Sequence, residues 1–87
     1  MDSSATEPRV LLLTRPGCHL CEAARETVAA VAGRLGVAWA ERRIDDDPEL
    51  LARHSEEVPV LLVDGTVRDF WVIDPQRLEG LLTAPQA

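Results

Sequence analysis

Arg9–Thr14 holds a nearly continuous apolar run, Val10-Leu11-Leu12-Leu13, closed by Pro16-Gly17. A run without alternation predicts a strand buried on both faces. From His19 to about Leu35 the apolar positions change period. Leu20, Ala23, Ala24, Val28, Val31 and Leu35 fall at i, i+3/i+4 steps, while Glu22, Arg25, Glu26 and Arg34 take the other side. That is an amphipathic helix, ended by Gly33 or Gly36. Val37–Ile44 reads as a second strand, but Trp39 and Ile44 have opposite parity and leave its buried face undecided. Asp47-Pro48 is a helix start, Asp as N-cap and Pro at the first helical position, for a short helix to about His54 presenting Leu50 and Leu51. Val58–Val63 is a third strand, and Asp64-Gly65 turns it tightly into a fourth, Thr66–Val72. Asp74-Pro75 repeats the cap-and-proline start, and Leu78, Leu81 and Leu82 give the last helix one apolar face.

The predicted order is β-α-β-α-β-β-α, with no internal repeat or low-complexity tract. Strands joined through a helix should be parallel and strands joined by a two-residue turn antiparallel. A mixed four-stranded sheet with helices on both faces is the compact α/β solution. Residues 1–8, small and polar, are expected to form a flexible N-terminal tail, residues 9–82 the domain, and residues 83–87 a flexible C-terminal tail.

Composition narrows the chemistry. The 87 residues suffice for one domain with a modest core, and 46% hydrophobic residues exclude a disordered chain. Nine basic against fifteen acidic residues give a net charge of −6, which disfavours nucleic acid and anionic membranes as partners. Every basic residue is Arg, so no Lys can act as an amine nucleophile. The first eight residues lack the basic start and apolar core of a secretory signal, and the apolar runs are too short to span a bilayer. The expected compartment is the cytoplasm, where paired cysteines are reactive or metal-binding more often than structural.

Both cysteines lie in Thr14-Arg15-Pro16-Gly17-Cys18-His19-Leu20-Cys21, between the first strand and the first helix. A thiol capping that helix meets unpaired N–H groups and the positive end of the dipole. Such sites carry Cys pKa values of roughly 3.5–7.5 in place of about 8.5. Cys21, three residues on, is within disulfide reach and continues the stripe Ala24, Val28, Val31, so it should be the more buried thiol. That asymmetry suits a dithiol mechanism: one sulfur attacks, the other resolves the mixed disulfide. As spacing alone, the pair has a second, less favoured reading as two small buried hydrophobes.

The same eight residues, with Val58-Pro59 and Asp64-Gly65 downstream, resemble the glutaredoxins of the thioredoxin-fold superfamily, and the short bacterial glutaredoxin-like proteins most of all. The likeness runs from about Val10 to Leu82. It implies Cys18 as nucleophile and Cys21 as resolving thiol, with Arg15 taking the place of the glutaredoxin Lys three residues before the first Cys. It implies a cis Pro59 beside the cysteines, where the backbone of Val58 can pair with an extended peptide or with glutathione. The implied activity is thiol–disulfide exchange on protein disulfides or low-molecular-weight thiols. No cofactor is bound, glutathione is a candidate co-substrate, a reductase is a candidate partner, and a monomer is the expected state.

Departures from the family pattern matter too. Glu57, preceded by Glu56, stands where glutaredoxins usually carry Thr, and two carboxylates there oppose a thiolate and repel the acidic tripeptide. Arg68-Asp69-Phe70-Trp71 fills the region of the glutaredoxin Gly-Gly, so weak glutathione activity is expected. Arg15 and Arg68 remain candidates to hold a substrate carboxylate. His19, if protonated, would tune the thiolate. His54 reads as a residue at a helix end, Trp39 and Trp71 as packing, with Trp71 also a candidate for the substrate groove. Asp45-Asp46-Asp47 lacks the spacing of a calcium loop, and no metal site is expected. Two other functions fit the same residues: a protein-binding module or redox switch presenting the Val58 edge, and a metal or iron–sulfur carrier, for which one C-x-x-C supplies only two ligands.

Overall fold

A computed structural model describes residues 8–84. Its order is β1 (Val10–Thr14), α1 (His19–Leu35), β2 (Trp39–Arg43), a 3-10 turn at Ile44–Asp46, α2 (Pro48–His54), β3 (Val60–Val63), β4 (Thr66–Phe70) and α3 (Pro75–Thr83). The expected tails lie outside the described residues except for Pro8, Thr83 and Ala84. Thr83 is the last residue of α3 and Ala84 its C-cap, so this helix runs one residue past the boundary expected at Leu82.

The four strands form one mixed sheet in the order β2-β1-β3-β4. β1 pairs parallel with β2 and antiparallel with β3, and β3 pairs antiparallel with β4. Because β1 is central, its leucines divide between the two faces. Val10 and Leu12 meet α1 and α3 through Ala24, Val28, Val31, Leu78 and Leu82, joined from β3 by Leu61 and Val63. Leu13, with Leu11 against it, meets Ile44, Val60, Leu50 and Leu51 on the other face, beneath α2. This two-sided burial is why the run shows no alternation.

The punctuation residues act as their chemistry requires. Asp47 Oδ1 accepts from the N–H groups of Glu49 and Leu50, and Asp74 Oδ1 from those of Gln76 and Arg77. Of the two glycines that might end α1, Gly36 does so. At φ 70° it closes a Schellman motif, its N–H reaching the Gly33 carbonyl and the Val37 N–H the Ala32 carbonyl. Asp64 and Gly65 both have positive φ, 54° and 83°, the tight hairpin whose twist matches its strands.

Three strands are shorter or less regular than their composition suggested. β2 covers Trp39–Arg43 alone, and Ile44 turns under α2 while Trp39 packs towards α1 and α3. Their opposite parity puts them on opposite faces of the sheet, and a core covers each face. β3 begins at Val60, after Val58 and Pro59. β4 ends at Phe70, and Arg68 is the extra residue of a bulge, since Leu61 faces Asp69 while Leu62 faces Val67.

A polar clamp joins β1, β2 and α1 just before the cysteine loop. Thr14, 1% exposed, donates its hydroxyl to Glu41 Oε2 at 2.8 Å, and Arg25 grips the same carboxylate with two N–H···O bonds of 2.7 Å. The Arg25 hydrogen bonds, helped by Thr14 and by the charges of Arg25 and Arg43, hold the Glu41 carboxyl below its usual range, against partial burial pushing it up.

Two outcomes follow for stability. Leu12→Ala, at a fully buried site, should cost about 2–5 kcal/mol in urea unfolding, whereas Val67→Ala on the exposed side of β4 should stay within about 0.5 kcal/mol. Equal effects would contradict the core assignment. Because Glu41 has a lowered folded pKa, its stabilisation is present above the unfolded carboxyl pKa of about 4.3 and is lost as pH falls through the folded value. The Tm difference between wild type and Glu41→Gln should therefore be largest near neutrality and close under acid; a difference that widened under acid would contradict the clamp.

Candidate active site: a dithiol at the start of helix α1

β1 delivers the chain to one end of the sheet, and Pro16-Gly17 reverse it into α1. Gly17 sits at φ 72°, where a side chain would be strained. The turn leaves Cys18 as N-cap of α1, with extended backbone at φ −104° and ψ 112°. Cys18 Sγ accepts the Cys21 N–H at 3.1 Å, satisfying one of the donors a helix leaves unpaired at its start. Cys18 and Cys21 are joined as a disulfide, their Cα atoms 5.2 Å apart. Cys18 is half-buried and Cys21 is 1% exposed within the α1 stripe, the unequal exposure that the helical phase implies. His19 opens the helix, fully on its exposed side.

Register brings two further segments to the same end of the sheet. Leu13 pairs with Val60, so Val58-Pro59 lies beside the exit of β1, and Val60 pairs with Phe70, so Trp71 follows at that end. The Val58–Pro59 peptide bond is cis, Pro59 is buried, and its carbonyl accepts the Trp71 N–H at 2.9 Å.

Trp71 is the feature that sequence reasoning left least determined. It holds φ 67°, an outlier for a bulky residue, yet 52% of it is exposed. Besides its backbone bond to Pro59, its indole N–H donates to the Glu56 carbonyl at 3.1 Å, and its ring meets Phe70 edge to face at 4.9 Å. Asp69 shapes the loop around it, accepting from the N–H groups of Phe70 and Asp74. The available signal was Asp69 and Asp74 bracketing an apolar stretch too short for another element.

The arginines are placed apart. Arg15 turns towards α2, pairing through Nε with Asp45 at 3.3 Å and donating from Nη1 to the Ser55 carbonyl at 3.3 Å. Arg68 sits in the β4 bulge, where its carbonyl accepts from Arg77 Nε. No hydrogen bond or ion pair among the described residues joins Arg68 to the cysteine loop. His54 is paired through Nδ1 with Glu57 at 3.0 Å, while Glu56 is exposed beside Trp71. Among the described residues no three His, Cys, Asp or Glu side chains stand together as a metal site, and no helix is long and apolar enough to cross a membrane.

What this arrangement can do is exchange disulfides: one accessible sulfur at a helix start, a second covered behind it, and an apolar ledge alongside. Comparisons with known proteins agree with that geometry. Residues 9–83 match the model of the glutaredoxin-like domain (DUF836). An uncharacterized protein of Mycobacterium tuberculosis is 33% identical over 80 residues, covering 86% of this chain and 82% of its own. The X-ray structure of a protein from X. campestris superposes with a TM-score of 0.70 at 35% identity, over 87% of this chain and 99% of its own. Fasciola hepatica thioredoxin shares the fold at a TM-score of 0.62 and 23% identity, over 92% of this chain and 84% of its own. With its four-stranded mixed sheet and its Cys18–Cys21 pair, the chain belongs to the glutaredoxin-like domain family within the thioredoxin fold.

Proposed function

We propose that the protein is a thiol–disulfide oxidoreductase in which Cys18 is the nucleophile and Cys21 the resolving thiol. The observation carrying this reading is the Cys18 sulfur at the α1 N-cap, accepting the Cys21 N–H and bonded to the covered Cys21 sulfur. In the reduced protein the same amide and the helix dipole favour Cys18 as thiolate.

The cycle balances. The Cys18 thiolate attacks one sulfur of the substrate disulfide; a Cys18–substrate disulfide forms, and the other substrate sulfur leaves and takes up a proton. Cys21 then loses its proton and attacks Cys18 Sγ, releasing the second substrate thiol. The substrate gains two electrons and two protons, and the protein is left with the Cys18–Cys21 disulfide. An external thiol, glutathione or a reductase partner, returns it to the dithiol by the reverse exchange. His19 and Arg15, either side of Cys18, are the tuning residues of this reading. Val58 and Pro59 line the approach to the sulfur, and Arg68 is retained only as a more distant carboxylate contact. Neither cofactor nor metal enters the cycle, and the protein acts as a cytoplasmic monomer.

The roles separate with a small neutral disulfide as oxidant. Reduced wild type should release both thiols and end as the intramolecular disulfide. Cys21→Ser should stop with one substrate half bonded to Cys18, visible by intact mass, and Cys18→Ser should react only at the background rate. Rapid reaction of Cys18→Ser, or no adduct on Cys21→Ser, would contradict the assignment.

A further inference from the structure

We infer that this site takes protein disulfides carried on an extended segment, with an apolar side chain beside the cysteine and a basic one beyond it, in preference to acidic low-molecular-weight disulfides; Trp71 is the specificity-determining residue. The inference rests on the thiol–disulfide reading and names its substrate class. Leu20, Phe70, Trp71 and Val72 are four of the five exposed large hydrophobic residues among the described ones, 44%, 43%, 52% and 71% exposed. Leu20 lies between the two cysteines, and with Ala23, Trp71 and Val72 it lines one hollow against the first turns of α1. Apolar surface gathered in this way on the first turns of the helix that carries both cysteines is suited to an apolar side chain of a partner.

Beyond the indole lies a second, open hollow of about 410 Å³, walled by Trp71, Ala52, Arg53, Ser55, Glu56 and Glu57. Arg53 there faces Glu49 at 3.9 Å and Glu57 is paired with His54, whereas the Glu56 carboxylate has no ion-pair partner among the described residues. The Glu56 carboxylate on this wall, in a chain of net charge −6, favours a basic side chain and opposes an acidic ligand. Trp71 is the partition between the two hollows. Its bonds to Pro59 and Glu56 hold the ring before anything binds, so little ordering is needed on contact.

The test uses reduced full-length protein and four oxidants: a synthetic peptide disulfide with Leu next to its cysteine and Arg beyond, the same peptide with Glu for Arg, oxidised glutathione, and neutral bis(2-hydroxyethyl) disulfide. The readout is each rate relative to that for the neutral disulfide. The Leu/Arg peptide should exceed both the Glu peptide and oxidised glutathione by about tenfold or more, the worth of one well-placed apolar or charged contact. Trp71→Gly removes the indole while suiting the left-handed backbone, and Val72→Glu charges the first hollow at an exposed position. Each should bring the Leu/Arg ratio down towards that of glutathione. Oxidised glutathione reacting as fast as the Leu/Arg peptide, or a ratio unchanged in both variants, would overturn the inference while leaving the redox reading intact. Reaction with none of the four would overturn both.

Discussion

A single amide hydrogen aimed at a sulfur is the interaction on which the rest depends. Every helix begins with N–H groups that its own carbonyls cannot reach, and something must accept them. At the starts of α2 and α3 the chain uses Asp47 and Asp74, each followed by proline, which is an ordinary way to end that debt of hydrogen bonds. At α1 it uses Cys18, a poorer cap than aspartate, and places the thiol partner one turn on. The proposed function gives that weaker cap a use, because the capping atom is the one proposed to react. The Cys21 N–H and the dipole behind it then act on the sulfur proposed as the nucleophile.

The remainder of the fold makes that placement rigid. β1 is one of the two central strands of the sheet, covered by α1 and α3 on one side and α2 on the other, so the strand entering the cysteine loop is packed on both faces. Thr14, the last residue of β1, is tied through Glu41 to Arg25 of α1, bracketing the loop from both flanks. The Trp71 bonds do the equivalent from the far side, fastening the β4–α3 loop to Pro59 and Glu56. Cys18 therefore lies at the end of the sheet to which the antiparallel registers of β3 and β4 bring two further segments, Val58-Pro59 and Trp71.

Much of this was legible in the chain, where local chemistry decides the outcome. The apolar run of β1, the Asp-Pro helix starts, the Asp64-Gly65 hairpin and the dithiol at the strand–helix junction each rest on residues within a few positions of one another. The failures of legibility were non-local. That Trp39 and Ile44 are both packed inwards depends on a core lying on each face of the sheet, and the bulge at Arg68 depends on pairing with Leu61 and Leu62, not on its own neighbours. Arg15 is drawn to Asp45 and Ser55, thirty or more positions away along the chain. Trp71 was the hardest to read, since nothing in its own residue type favours a left-handed backbone; only its contacts with Pro59, Glu56 and Phe70 account for it.

Thiolate absorbance near 240 nm, followed against pH in the fully reduced protein, tests the helix-start sulfur most directly. A first step midway clearly below the ordinary thiol value of about 8.5, absent in Cys18→Ser and retained in Cys21→Ser, is the predicted result. Two steps at or above that value, or an early step that follows Cys21 instead of Cys18, would contradict it.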